Sequence, residues 1–212
     1  MGLWKKFSTR LFGRMAERSL DSFKDLKEPL DKSGMRVLFR TYVSMMFAGS
    51  FLVFVLSLPT TFVAGLFLFD LTIPVSFLAS IVVSVVAAAL GFVIFYLYPS
   101  QKASERSKSI KANLPFAINH MSAIASSQVP PYVIFKLLAK FEEYGEVSNE
   151  AERIIRNVDV FGQDITTSLE QVAKTTPSDE FEEFLSGMIS TIKTGGNLED
   201  YLKVEADQAM FD

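Results

Sequence analysis

The chain has 212 residues, no cysteine and one histidine, which excludes a disulfide frame, a thiolate metal site and a multi-histidine metal site. Its net charge of −3 hides a division: residues 1–40 hold ten Lys or Arg against five Asp or Glu, whereas residues 100–212 hold eleven against eighteen. The large acidic part repels phosphate, which excludes nucleic acid as a partner and leaves it able to face a basic surface.

The start, MGLWKKFSTRLFGRM, is basic and lacks the apolar stretch of a cleavable secretory signal. Leu3, Trp4, Phe7, Leu11 and Met15 recur at helical spacing among Lys5, Lys6, Arg10, Arg14 and Arg18. This pattern predicts a basic amphipathic helix, either in the membrane interface or packed on the chain's own cytoplasmic domain. Another stripe, Leu20, Phe23, Leu26 and Leu30, ends at the stop signal Ser33-Gly34. Residues 1–40 are thus read as a basic amphipathic cytoplasmic segment.

Two apolar runs follow. Residues 41–69 and 71–101 contain no charged residue and are separated by Asp70 alone. A spanning helix needs roughly 20 apolar residues, and each run exceeds that. The expected hairpin occupies 41–99, with spans at about 41–62 and 73–96. Pro59 is expected to kink the first span late, and Pro74 suits the first turn of the second. Lys24, Lys27, Lys32, Arg36 and Arg40 precede the hairpin, Lys102, Arg106, Lys108 and Lys111 follow it, and no Lys or Arg lies between the spans. Basic flanks stay cytoplasmic, so both termini are expected inside and only the loop at Asp70 outside. Tyr42, Tyr96 and Tyr98 sit where an inner aromatic belt belongs.

The tail, 100–212, lacks strand signals and is dense in helix punctuation. Residues 101–112 extend the second span, and Asn113 is expected to cap a new helix with Pro115 in its first turn. Leu114, Ile118, Met121 and Ala125 mark its buried face. Pro130-Pro131 begins the next helix, Gly145 breaks it, and a third stripe runs through Ala151, Ile154, Ile155 and Val158. Asp164 starts a short helix through Leu169 and Val172. Thr176-Pro177-Ser178-Asp179 reads as cap, Pro at N1 and acid at N3, ahead of Phe181, Phe184, Leu185, Met188 and Ile192. Gly195-Gly196 turns the chain, and Asn197 caps a last helix with Leu198 and Leu202 inward. Short loops force antiparallel neighbours. The fold class is therefore an all-α membrane protein, a two-span hairpin with a six-helix cytoplasmic bundle.

Nothing here assembles a nucleophile, a base and an oxyanion hole, so the reading is no enzyme and no cofactor. Thr194-Gly195-Gly196-Asn197 is a helix turn without the Lys of a phosphate loop. His120 is read as a hydrogen-bonded structural residue. Glu142, Glu143, Glu146, Glu150 and Glu152 form an acidic edge around Gly145, read as a solvated face rather than a cation site, and Asp179, Glu180, Glu182 and Glu183 form another cluster. Successive junctions of short helices alternate between the two ends of a bundle. Alternation sets both acidic clusters on the side where the chain enters and the Pro130-Pro131 and Gly195-Gly196-Asn197 turns at the far end. The acidic groups Glu142, Glu143, Glu146, Asp179 and Glu180 are then internal docking charges. Their expected partners are Arg10, Arg14 and Arg18 or the stretch Lys102 to Lys111. Pro130, Pro131, Gly195, Gly196 and Asn197 are the candidate partner-facing residues.

The order of motifs in the tail, ANLPFAINHMSAIASS, VPPYVIFKLLAKF, FGQDITTSLEQVAKTTPS and FEEFLSGMISTIKTGGNLEDYL, resembles the cytoplasmic cassette of the type II secretion F family. The stretches LKEPLDKSGM, ahead of the hairpin, and FYLYPSQKASERSKSIKANLP, at its end, are most similar to the archaeal branch of that family. The resemblance covers about residues 20–212. It implies a non-catalytic platform in the cytoplasmic membrane for a type II secretion, type IV pilus or archaellum machine. The implied partners are a hexameric secretion ATPase, pilin- or archaellin-like filament subunits and the lipid bilayer, and a homodimer is compatible with it. Members of the family carry further spans after the cassette, so a chain stopping at Asp212 is expected to be a fragment or a half-length form. The competing reading is a small membrane signalling receptor with a helical output domain. A very short outer loop and the lack of a heptad stalk after the hairpin speak against it.

The orientation has a direct test. Asp70→Cys should react with an impermeant thiol reagent on intact cells, and Ser148→Cys should not; labelling at position 148 would overturn the orientation.

Overall fold

A computed structural model describes residues 16–17, 19–35, 37–67 and 72–209. The expected helix from Leu3 to Met15, with Arg10, Arg14 and Arg18, lies outside the described residues, as does Asp70. Every described element is helical. A 3-10 segment at Leu20–Leu26 leads into α1 (Lys27–Lys32), then α2 (Phe39–Phe67) and α3 (Ile73–Ala125). The order continues with α4 (Pro131–Leu138), a 3-10 turn at Glu142–Tyr144, α5 (Glu146–Asp159), α6 (Ile165–Ala173), α7 (Asp179–Thr194) and α8 (Leu198–Ala209). The chain divides into two compact units, Met1–Gln101 and Lys102–Asp212.

In the first unit α2 and α3 are each long and apolar enough to cross a membrane. Their burial pattern is inverted relative to a soluble core. Leu56, Val82, Leu90 and Ile94 face outward, 59%, 63%, 60% and 66% exposed, while Ser76, Ser80 and Ser84, one turn apart along α3, are buried. Apolar side chains outside and small polar ones between the helices is the pattern lipid selects. Gly65 lies against Ser76, and Gly49 admits the Phe95 ring so closely that a Cβ there would stand 2.7 Å from it. Helix α2 runs on through Pro59, where hydroxyls turn back onto nearby carbonyls: Thr60 donates to Leu56 at 3.0 Å and Thr61 to Ser57 at 2.7 Å.

The leading segment stops where the sequence puts the stop. α1 ends at Lys32, the Ser33 hydroxyl donates to the Leu30 carbonyl at 2.6 Å, and Gly34 takes φ 68°. Leu26, Leu30 and Tyr42 are buried together, and the Phe23 ring stands 6.2, 6.0 and 6.2 Å from those of Phe47, Phe92 and Tyr96. Tyr42 departs from the expected belt position. It is 5% exposed, and its hydroxyl donates to the Phe95 carbonyl at 2.7 Å. That carbonyl lacks an intrahelical partner because residue 99 is proline, so a buried hydroxyl is drawn to it.

The end of α3 and helices α4 to α8 form the second unit around one core. Two expected helix starts are corrected. Asn113 caps nothing: α3 passes through it and through Pro115, and the Asn113 amide donates to the Ser109 carbonyl at 2.8 Å. The reason is the buried stripe Ile110, Leu114, Ala117, Ile118 and Met121, which bridges the proline and outweighs its local preference. Thr176 is not the cap of α7 either, and Pro177 is not its first residue. The Thr176 amide still donates to Val172 at 2.9 Å, closing α6, and the cap is Ser178, whose hydroxyl accepts from the Phe181 amide at 3.3 Å. Asp164 and Asn197 cap as expected, accepting from Thr166 N–H at 2.9 Å and Glu199 N–H at 3.0 Å.

The inward stripe of α7 carries the core. Phe181, Phe184, Leu185 and Met188 are buried, Phe184 stacks between Phe181 and Tyr201, and the Tyr201 hydroxyl donates to the Phe184 carbonyl at 2.8 Å. Phe184→Ala should cost about 3–5 kcal/mol, the usual range for truncating a buried ring. Chemical denaturation of the detergent-solubilised chain measures it, and an unchanged midpoint would contradict the burial.

Candidate functional site: the charged face of the bundle and its turns

The sequence supplies acidic residues at two helix junctions and basic ones along 102–111, and the fold of the second unit joins them. Arg106 of α3 donates from Nε to Glu146 Oε2 at 2.7 Å and from a terminal nitrogen to Glu150 Oε1. The other Glu150 oxygen lies 3.4 Å from Arg153, and Arg153 donates to the Thr175 hydroxyl at 2.6 Å. One row of charges therefore connects α3, α5 and the turn between α6 and α7. Five residues further along α3, Lys111 pairs with Glu180 at 2.7 Å at the start of α7.

The two pairs differ in environment. The Glu150 side chain is 0% exposed and that of Arg106 is 11% exposed, so their charges sit in low dielectric. Burial opposes the Arg106 charge, yet Glu150 and Glu146 overcome it and raise its pKa. Lys111 and Glu180 are largely solvated, and water screens such a pair, so it contributes little to stability. The Lys111 ammonium, with the Ser178 hydroxyl and the helix amide, still holds the Glu180 carboxyl down to about 2.

Gly145 positions Glu146. It turns the chain with φ 55° and ψ −119°, a conformation that side chains resist, and a Cβ there would lie 3.0 Å from the Ser109 hydroxyl oxygen. Ser109 in turn accepts from the Glu146 amide at 3.4 Å.

The expected acidic edge is thus split. Glu142 and Glu143 are exposed on the 3-10 turn, Asp179 is exposed in the first turn of α7, and Glu146 and Glu150 face Arg106. Glu150 was expected on a solvated face. A signal for its burial existed, since it stands three residues after Val147 and four before Ile154, both buried. Among the described residues no group of three or more His, Asp or Glu could hold a metal ion. His120 Nδ1 is hydrogen-bonded to the Tyr144 hydroxyl at 2.9 Å, and its ring lies 4.5 Å from that of Phe141. Beside it an open groove of about 670 Å³ is lined by Phe116, Asn119, Ile124, Val129 and Leu137.

The candidate partner-facing residues occupy two turns. Pro130 is exposed ahead of α4, with Pro131 as its first residue, and Gly195, Gly196 and Asn197 are exposed between α7 and α8. The Tyr132 hydroxyl donates to Asp159 at 2.9 Å, which brings the start of α4 to the end of α5. The pairs at Arg106 and Lys111 lie 14 to 19 residues before the end of α3, about 21 to 29 Å along the helix. The entry end of the second unit therefore carries Glu146 and Glu180, and the Ser126–Pro130 turn follows at the other end of the same helix.

Residues 117–211 match the family of the type II secretion system (T2SS), protein F. An uncharacterized protein of Methanocaldococcus jannaschii is 34% identical over 108 residues, 51% of this chain and 18% of the relative. Flagella accessory protein J of the same organism is 25% identical over 153 residues, 63% of this chain and 27% of its own length. Flagella accessory protein J of Methanococcus voltae is 28% identical over 114 residues, 53% of this chain and 20% of its own length. The matched stretch thus spans about a fifth to a quarter of these relatives. No solved structure matches the chain.

Removing one member of the buried charge row leaves the others uncompensated. Glu150→Gln should destabilise the chain by about 3–5 kcal/mol. Lys111→Met, at a solvated pair, should change stability far less than Glu150→Gln does. Equal effects of the two, read by denaturation, would refute the burial contrast.

Proposed function

We propose that this chain, whose residues 117–211 match the type II secretion system protein F family, is a non-catalytic platform of an archaellum-like or type IV pilus-like machine in the cytoplasmic membrane. In this reading the hairpin is inserted in the bilayer with both ends of the chain cytoplasmic. The bundle receives movement from a hexameric secretion ATPase and passes it toward filament subunits in the membrane. The observation that carries the reading is the unbroken course of α3, in which one helix of 53 residues is apolar at its start and lines the core of the F-type bundle at its end. A continuous helix transmits displacement without loss in a flexible linker. Short helices packed on one core also favour this reading over a receptor, whose output would be a long coiled-coil stalk.

Within the bundle, Pro130, Pro131, Gly195, Gly196 and Asn197 face the ATPase. Glu142, Glu143, Glu146, Asp179 and Glu180 are internal docking charges that hold the entry end together. The pairs Arg106–Glu146 and Lys111–Glu180 support that assignment for two of the five.

Affinity capture of the detergent-solubilised protein from its native membranes should recover a hexameric secretion ATPase. Pro130→Glu combined with Gly195→Asp should abolish recovery; Gly195 has open space around it, and Asp tolerates its left-handed backbone. Glu142→Lys with Glu143→Lys should leave recovery unchanged. The opposite pattern would make the acidic face the docking surface and overturn the assignment.

A further inference from the structure

We propose that the turn from Phe95 to Pro99 is a hinge in α3 and that the Tyr42 hydroxyl is its latch. Proline has no N–H, so the carbonyl four residues earlier loses its helical partner, and the proline ring crowds it. In α3 that carbonyl belongs to Phe95, and it accepts the Tyr42 hydroxyl of α2 at 2.7 Å across 53 residues of chain. The latch is shielded. Tyr42 is 5% exposed and buried with Leu26 and Leu30 of the leading segment. A hydroxyl–carbonyl bond kept from water is stronger than one in solvent. Phe95 is also held through its ring, which fits against Gly49, where a Cβ would come within 2.7 Å.

The other interior proline, Pro115, has a different setting. Around it the stripe Ile110, Leu114, Ala117 and Ile118 is buried, so packing holds the helix through it. At Pro99 the helix has lost a backbone bond, and a single side chain from a neighbouring helix replaces it. With the latch made, α3 is stiff at this turn. With it released, the helix bends at the proline. The latch depends on this bond and this proline alone, and it stands independently of the platform reading.

The chain has no cysteine, which makes the test direct. Nitroxide labels at Leu90→Cys and Lys108→Cys, both exposed, are about 27 Å apart along a straight helix at about 1.5 Å per residue. Double electron–electron resonance on the full chain in nanodiscs reads that distance. The parent should give one narrow distribution. Tyr42→Phe should broaden it and add a shorter component. Pro99→Ala restores the amide, so Tyr42→Phe on that background should give the narrow distribution again. A Tyr42→Phe distribution as narrow as the parent's would overturn the latch. A double variant as broad as Tyr42→Phe alone would do the same. If Tyr42→Phe fails to fold, rescue by Pro99→Ala supports the latch and failure of rescue refutes it.

Discussion

In a helix of 53 residues, Pro99 leaves the Phe95 carbonyl without its helical amide, and the Tyr42 hydroxyl takes that place. Within lipid no water is available to take up a freed carbonyl. This constraint explains Tyr42, which would otherwise be an aromatic residue at a membrane boundary. It also explains why the leading segment packs where it does, since Leu26 and Leu30 bury the residue that closes the gap at Phe95. Gly49 and Gly65 let α2 approach α3 closely enough for such bonds to form.

The continuity of α3 then organises the second unit. Because the helix does not stop at Asn113, the face that carries Ile110, Leu114 and Met121 into the core also carries Arg106 and Lys111 to the entry end. Arg106 reaches α5, and through Glu150 and Arg153 the charges extend to Thr175, so three segments far apart in sequence share one row. A buried row of this kind contributes little net stability beyond what apolar side chains would give. What it adds is a fixed register between α3 and α5, set by geometry that an apolar face would leave loose. Such a register is what the platform role proposed above would require of the bundle.

The sequence alone determined what depends on near neighbours. Two uncharged runs imply two long helices. Asp164 and Asn197 announce their own caps, and the i, i+3, i+4 spacing of Phe181, Phe184, Leu185 and Met188 marks a buried face. Each signal lies within one or two turns of the residue it concerns. Tertiary structure decided the rest. Whether Asn113 and Pro115 start a new helix or lie inside a longer one depends on how much apolar surface the stripe around them buries, and that quantity exists only after folding. Whether Thr176 or Ser178 caps α7 depends on the previous helix, which already uses the Thr176 amide. Glu150 reads as a solvated carboxylate until Arg106, 44 residues earlier, is brought beside it. Tyr42 reads as a belt residue until Phe95, 53 residues later, offers a carbonyl that proline has left without a partner. In each case the deciding group is distant in sequence, and the free energy that selects the outcome comes from burial or from a bond made across helices, which no local pattern contains.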